Sequence, residues 1–239
     1  MLERGIDIHA HILPETDDGA KDWEEAAAML RAASEEGFKR VIATPHFSFS
    51  QNPELLRRKA EQLNEEAYCR SLDIRISLGQ EILYFEDIVS FLSEEKTLTL
   101  AGSHYVLVEF LPEETFSRIE RGVRELVQNG YFPILAHAER YYCLYGKGKL
   151  EDIIRSGAYV QMNYRCLEGG LLDRRASWCK KQVLEGRVHF LGTDMHNMRS
   201  RPPKAERAAG WIEKHGGREL LEQLTRENPS YILEDKIIS

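Results

Sequence analysis

The sequence predicts an α/β fold, a distorted seven-stranded (β/α)7 barrel of the TIM-like kind, and three observations carry the prediction. Short apolar runs alternate with segments of helical periodicity from one end of the chain to the other, the pattern of parallel strands joined by helices. An acidic or histidine residue stands just past nearly every apolar run: His9 and His11 after 6–8, His46 after 41–45, Glu81 after 74–79, Glu109 after 105–108, His137 after 133–136, and Asp194 with His196 after 188–192. Strand ends on one side of a barrel meet at a single mouth, where such folds keep their chemistry. Finally, seven strand–helix units can be counted but no eighth, and the 239 residues show no break in composition, so one domain over 1–239 is expected.

Element by element, Asp22 is placed to cap a helix over 23–36, with Ala27, Leu30 and Ala33 on one face and Gly37 ending it. The second strand follows at once. A helix over 53–70 turns Leu55, Leu56, Leu63 and Ala67 inward, and the third strand begins near Asp73. A short helix over 85–93 precedes strand four at 105–110, and a longer one over 115–128 stops at Asn129-Gly130. Strand five is 133–136, a short helix covers 150–156, strand six is 158–162, and a helix around 172–184 leads to strand seven at 188–191. Two helices, 204–215 and 219–226, complete the chain. The irregular stretches 48–52, 141–149 and 163–170 read as mouth loops, because loops of that length in a compact domain are usually functional.

Composition narrows the function. A chain that is 42% apolar and 30% charged is an ordinary globular sequence, and its net charge of -7 gives no electrostatic reason to expect nucleic acid or an anionic membrane as partner. No apolar stretch approaches a membrane span, and residues 1–5 run into a strand with no signal-peptide core, which leaves the cytoplasm as the expected compartment. Cys69, Cys143, Cys166 and Cys179 are widely spaced and suggest neither a zinc knuckle nor a disulfide framework. Cys69 and Arg75 match the C-x5-R spacing of cysteine phosphatases, but the residues between them are bulky and lead from a helix into a strand, where no phosphate cradle can form.

Histidines and carboxylates gathered without thiolates suit manganese, iron or zinc rather than a structural zinc. Two or three such ions clamp a phosphoryl group and lower the pKa of a bound water toward ~7. A bridging carboxylate belongs in such a site, and Glu81 is the best candidate.

The residues resemble the polymerase and histidinol phosphatase (PHP) family of metal-dependent phosphoesterases, and most closely its bacterial protein-tyrosine phosphatase branch tied to capsule and exopolysaccharide synthesis. The matching stretches are Asp7-Ile8-His9-Ala10-His11-Ile12 with Asp17-Asp18-Gly19, Ala43-Thr44-Pro45-His46, Gly79-Gln80-Glu81-Ile82, Glu109-Phe110, Ala136-His137-Ala138-Glu139-Arg140-Tyr141, Gln161-Met162-Asn163, and Gly192-Thr193-Asp194-Met195-His196-Asn197 with Arg201-Pro202-Pro203. Asn228-Pro229 also looks like that branch. The resemblance implies the PHP type of barrel and up to three ions, Mn2+ with Fe or Zn as alternatives. One ion would take His9, His11, Glu81 and Asp194; a second would share Glu81 and add Glu109 and His137; the third would take Asp18, His46 and His196. Asp17 is the adjacent alternative to Asp18. After the second-strand histidine, where the branch often carries basic residues, this chain has Phe47-Ser48-Phe49-Ser50, which leaves part of the substrate rim open.

The expected reaction is hydrolysis of phosphotyrosine by a metal-bridging hydroxide, with Arg140 and Arg201 binding phosphate through planar guanidinium forks. A tyrosine leaving group, with a pKa of ~10, makes less demand on a general acid than an alkoxide, and none is assigned. Tyr141, Tyr142, Phe47 and Phe49 are candidates to flank an aromatic substrate, Glu139 to orient His137, and His189 to be a satisfied core residue. The family context points to a bacterial tyrosine kinase of polysaccharide export as partner. The competing readings are a small-molecule phosphatase of the histidinol-phosphatase type, an amidohydrolase-type barrel, disfavoured because no lysine follows strand four, and a metal-binding regulatory module without catalysis.

Overall fold

Parallel strands form wherever the apolar runs stand. In the computed structural model, which describes every residue except Met1, Leu171 and Ser239, β1 (Gly5–Ala10), β2 (Phe38–Ala43) and β3 (Arg75–Leu78) pair in that order. A second run joins β4 (Glu81–Leu83), β5 (Tyr105–Glu109), β6 (Phe132–Leu135), β7 (Tyr159–Asn163) and β8 (Phe190–Gly192), again with every pairing parallel. Two seams close these runs into a ring. At one, the His11 amide donates to the Met195 carbonyl at 2.8 Å and the Asp194 amide to the His9 carbonyl at 2.9 Å. At the other, the Phe47 amide donates to the Glu81 carbonyl at 2.8 Å and the Glu81 amide to the Pro45 carbonyl at 3.2 Å. Because β3 and β4 are one barrel strand broken at Gly79-Gln80, the segments amount to the seven strands the sequence predicts.

The buried Gln80 side chain is anchored at the break. The Gln80 side-chain oxygen accepts from Leu98 N and Thr97 Oγ1, both at 2.9 Å, while its amide donates to Gln51 Oε1 at 2.8 Å. The backbone bonds toward β2 continue across the break, from Gly79 N to the Ala43 carbonyl and from Glu81 N to the Pro45 carbonyl, and Glu81 follows at the mouth.

The helices α1 (Trp23–Glu35), α2 (Pro53–Cys69), α3 (Ile88–Ser93), α4 (Phe116–Gln128), α5 (Lys149–Arg155) and α6 (Arg174–Leu184) alternate with the strands, and α7 (Glu206–Glu222) and α8 (Asn228–Glu234) follow them. Asp22 caps α1 by accepting from Glu25 N, as its position predicts, and Asn52, Thr115 and Asp173 do the same for α2, α4 and α6. Several boundaries differ from expectation. Leu55 is half exposed, and the buried face of α2 is Leu56, Ala60, Leu63 and Ala67. The two helices expected at 204–215 and 219–226 are present as the two halves of α7, separated at Gly217, whose φ of 87° and ψ of 166° are not helical; a π turn at Gln223–Glu227 and then α8, which periodicity did not reveal, follow. His189 lies just before β8, and its Nδ1 accepts from Val160 N at 3.0 Å.

Burial sorts the strand residues into two layers. Ile8, Ile42, Tyr105, Leu107, Ile134 and Phe190 pack together inside the ring, where Ile232 of α8 joins them, while Val41, Val106, Val108, Leu135, Val160 and Leu191 face the helices. Further along the same inward rows the side chains become polar: Glu109 follows Tyr105 and Leu107, and Gln161 and Asn163 follow Tyr159. The apolar half fills the base, and the polar half forms the mouth.

Candidate metal centre

At the strand ends, the backbone departs from regular geometry to aim the chemistry. His137 (φ 34°) and Asp194 (φ 53°) both adopt the left-handed conformation that residues with a Cβ avoid. Such strain persists where the surroundings over-determine it, and here it swings both side chains into the mouth. β1 is irregular between Asp7 and Ala10, so His9 and His11 reach the same space despite their i, i+2 spacing. The 17–19 loop folds back so closely that a Cβ on Gly19 would overlap the His11 carbonyl oxygen.

Glu81 is the hub. Its Oε2 lies 3.2 Å from His9 Nε2, His11 Nε2 and His46 Nδ1, and its Oε1 lies 2.7 Å from His137 Nε2. Glu109 Oε1 is 3.4 Å from His137 Nε2, and its Oε2 is 3.9 Å from His46 Nδ1. Asp194 Oδ1 lies 3.6 Å from His9, His11 and His196. The exposed Asp18 stands 3.4 Å from His196 Nε2 and 3.7 Å from His46 Nε2. All nine residues singled out in the sequence thus fall in one cluster. Its groupings overlap more than the expected three sets: His9, Glu81 and His137 come together, as do His46, Glu81 and Glu109, alongside His9, His11 and Asp194 and the quartet His11, Asp18, His46 and His196.

A second layer holds these groups. Asp17 is fully engaged: its Oδ2 accepts from His11 Nδ1 at 2.7 Å and His46 N at 2.9 Å, and its Oδ1 from Gly19 N at 3.0 Å. It therefore supports two histidines, while Asp18 faces them from the rim. Gln161 Oε1 sits 3.2 Å from His9 Nδ1 and accepts from His137 N at 2.6 Å; its amide donates to Asn163 Oδ1, and Asn163 donates to Asp194 Oδ2 at 2.8 Å. Beneath them, buried Asp7 accepts from Thr193 N at 3.0 Å and Thr193 Oγ1 at 2.5 Å, and burial lifts its carboxyl to about 6. The sequence offered Gln161 and Asn163 as matching residues but no role for them; their inward i, i+2 placement on one strand is the signal that carries it.

Electrostatics favour cations here. Burial disfavours ionisation of Glu81, yet the surrounding histidines hold its carboxyl well below the usual range. Burial and the charge of Glu81 push Glu109 up to about 7. Burial opposes a charge on His11, but the carboxylates of Asp17 and Glu81 raise it to about 10, so a proton stands in for positive charge the cluster calls for. Burial takes His137 down to about 4 and His196 to about 3, leaving neutral imidazoles. Nδ1 of His137 and Nε2 of His196 are buried without hydrogen-bond partners. Neutral imidazoles and carboxylates without a thiolate form a donor set that fits divalent transition metals.

Three guanidinium groups border the cluster. Arg201 and Arg140 reach Asp194 at 2.5 and 2.7 Å, and Arg165, which sequence reasoning missed, at 3.3 Å. Arg165 sits on a turn after β7, and only the folded chain brings it beside the residues after β8. Other expectations change. Glu139 does not touch His137: it is buried and accepts from Asn163 N, and burial lifts it to about 7. Tyr141 is fully buried, donating to the Ala136 carbonyl at 2.9 Å, so it shapes the loop instead of lining the opening. Phe47 and Phe49 cluster with Phe85 and Phe91, Phe47 partly buried and Phe49 as exposed as Tyr142. Cys69 is an exposed thiol at the end of α2, away from any phosphate cradle, and all four cysteines are free. Among the described residues, no helix is long and apolar enough to cross a membrane.

The chain resembles known proteins in sequence and fold. The family profile for capsular polysaccharide synthesis, CpsB/CapC, matches residues 5–234. The tyrosine-protein phosphatase CpsB of Streptococcus pneumoniae is 32% identical over 98% of this chain and all of its own length. The tyrosine-protein phosphatase YwqE of Bacillus subtilis is 31% identical over 98% of this chain and 93% of its own. A crystal structure from the pair YwqE and CpsB, described as unique metal-dependent tyrosine phosphatases, superposes with a TM-score of 0.90 at 31% identity and covers 98% of this chain and 96% of that one. Dihydropyrimidinase from Brevibacillus agri, at 11% identity and a TM-score of 0.62 over 98% of this chain and 71% of its own, shares the fold.

Proposed function

Since the chain belongs to the CpsB/CapC family of capsular polysaccharide synthesis, we propose that it is a metal-dependent protein-tyrosine phosphatase whose active site is the cluster around Glu81. The observation that carries this reading is the meeting of nine histidine and carboxylate side chains with Arg140 and Arg201 at one barrel mouth. His9, His11, Asp18, His46, Glu81, Glu109, His137, Asp194 and His196 hold the ions, with manganese as the metal and iron or zinc as alternatives. When bound, the ions supply Lewis acidity toward the phosphoryl oxygens and lower the pKa of the attacking water.

The rest is done by the chain. Arg140 and Arg201 receive the phosphoryl oxygens and stabilise the charge that builds on them as the phosphorus–oxygen bond breaks. Gln161, Asn163 and Asp17 keep the imidazoles and the Asp194 carboxylate in one orientation, so little reorganisation accompanies the reaction. The phenolate leaves without a dedicated acid, since its conjugate acid has a pKa of ~10. The partner is a phosphotyrosine-bearing protein, a tyrosine kinase of capsule or exopolysaccharide synthesis, and the chain works as one domain in the cytoplasm.

The test is phosphate release by chelator-stripped protein, with and without added Mn2+, from a phosphotyrosine peptide, a phosphoserine peptide and histidinol phosphate. Metal-restored turnover that favours phosphotyrosine is expected. Preference for histidinol phosphate would move the substrate to a small molecule, and inactivity with every metal would leave a regulatory module.

A further inference from the structure

Beside the metal centre lies a cavity of about 770 Å3, bounded by the turns after β6 and β7 and the start of α6. Its walls carry four guanidinium groups, from Arg140, Arg165, Arg174 and Arg175, in a chain whose net charge is -7. Two carboxylates share the lining, and both are occupied: Asp173 caps α6 by accepting from Ala176 N at 3.0 Å, and Glu139 is buried, bonded to Asn163 N, with Arg175 3.9 Å away. Arg174 is exposed and makes no ion pair among the described residues. The cavity is continuous with the reaction site, because Arg140 and Arg165 line it and also contact Asp194. Tyr142 and Tyr145 supply an aromatic side; Tyr145 is held by stacking on Trp178 at 4.2 Å, and Tyr142 is free to meet a ligand.

Excess positive charge with an aromatic wall is complementary to an anionic side chain, and the volume lies within the range of ligand pockets. We propose that this cavity is a second anion subsite, which takes a negatively charged side chain, a carboxylate or a second phosphotyrosine, close in sequence to the phosphotyrosine under attack. This rests on the phosphotyrosine reading of the metal centre. Arg174 and Arg175 select the substrate there without touching the reacting phosphoryl group, so their loss leaves hydrolysis of small aryl phosphates intact.

Three phosphotyrosine peptides decide it, one with neutral flanks, one with a flanking glutamate and one with a flanking phosphonate analogue of phosphotyrosine, tested with p-nitrophenyl phosphate as the small substrate. The metal-loaded wild type is expected to favour an anionic flank by roughly tenfold in kcat/KM, the worth of one charge-assisted contact. The double variant Arg174→Ala/Arg175→Ala is expected to lose that preference while keeping p-nitrophenyl phosphate turnover within about twofold. The better flank identifies the anion. Equal rates for all three peptides, or a preference that survives the double substitution, overturn the proposal. Should the wild type hydrolyse none of these substrates, the phosphatase reading fails by itself; peptide binding by calorimetry then decides the subsite, and equal affinity of wild type and variant for the phosphonate peptide overturns it.

Discussion

Arg140 and Arg201 share one partner, the Asp194 carboxylate. Two fixed guanidinium groups on one buried acid form a pre-oriented pair of donors, and losing one at an oxyanion typically costs 10²-fold or more. Arg140→Ala is therefore expected to lower kcat on a phosphotyrosine peptide by about that factor with metal content unchanged; wild-type kinetics would remove Arg140 from the reaction. Behind the proposed ligands, Gln161 and Asn163 act through others. Gln161→Ala frees the His9 ring and the His137 amide at once, and roughly 10- to 100-fold weaker metal binding is expected in a chelator competition titration. The two sets differ in how legible they are. His9, Glu81 or Asp194 could be read from the sequence because a charged or imidazole group just after an apolar run has few structural uses there. Gln161 and Arg165 could not, because an amide inside a strand and an arginine on a turn are both commonplace, and their meaning lies in neighbours brought from β6 and β8.

Among the elements, the broken third strand decides where the hub stands. Gln80 satisfies the buried Leu98 amide across the break. Removing that acceptor in Gln80→Ala is expected to cost about 1–3 kcal/mol, read as a lower urea midpoint at unchanged slope. Full stability would mean that the break holds itself. Alternating periodicity gave the strand a direction and an end, yet it could not show the interruption, since Gly79-Gln80 reads equally well as the strand's last residues. Helix α8 was hidden for a similar reason: Asn228-Pro229 signals a turn as readily as a helix start, and its inward side chain Ile232 has meaning only once the barrel base exists to receive it. The Asp22 cap was readable because it acts on an amide three residues away and needs no tertiary partner, although the same device at Asn52, Thr115 and Asp173 was not singled out.

For the molecule as a whole, stability depends on pH through a histidine remote from the chemistry. Burial holds the His189 imidazole at about 4 against 6.5 for an ordinary histidine. Between those values the unfolded chain binds more protons, so this contribution is fully present above the ordinary value and is lost as pH falls toward about 4. Its full size is on the order of 3 kcal/mol. Metal-free His189→Gln, which keeps an acceptor for Val160 N, is expected to lose less stability than the wild type between about pH 7 and about pH 5 in urea titrations. Parallel losses would show that His189 contributes nothing to the acid response.

The seam that closes the ring joins the first strand to the last. His9 and His11 are made early, but Asp194 and His196 follow after most of the barrel has been translated. At a synthesis rate of about 5–20 residues per second, that interval is on the order of 10–40 s. During it, the early histidines have no carboxylate opposite them from the far seam, and no partial chain offers the complete cage. The groups that draw on Asp194 and His196 are consequently completed last, whereas His9, Glu81 and His137 and the trio His46, Glu81 and Glu109 need nothing from the final strand, so the full set of nine side chains exists only in a finished ring.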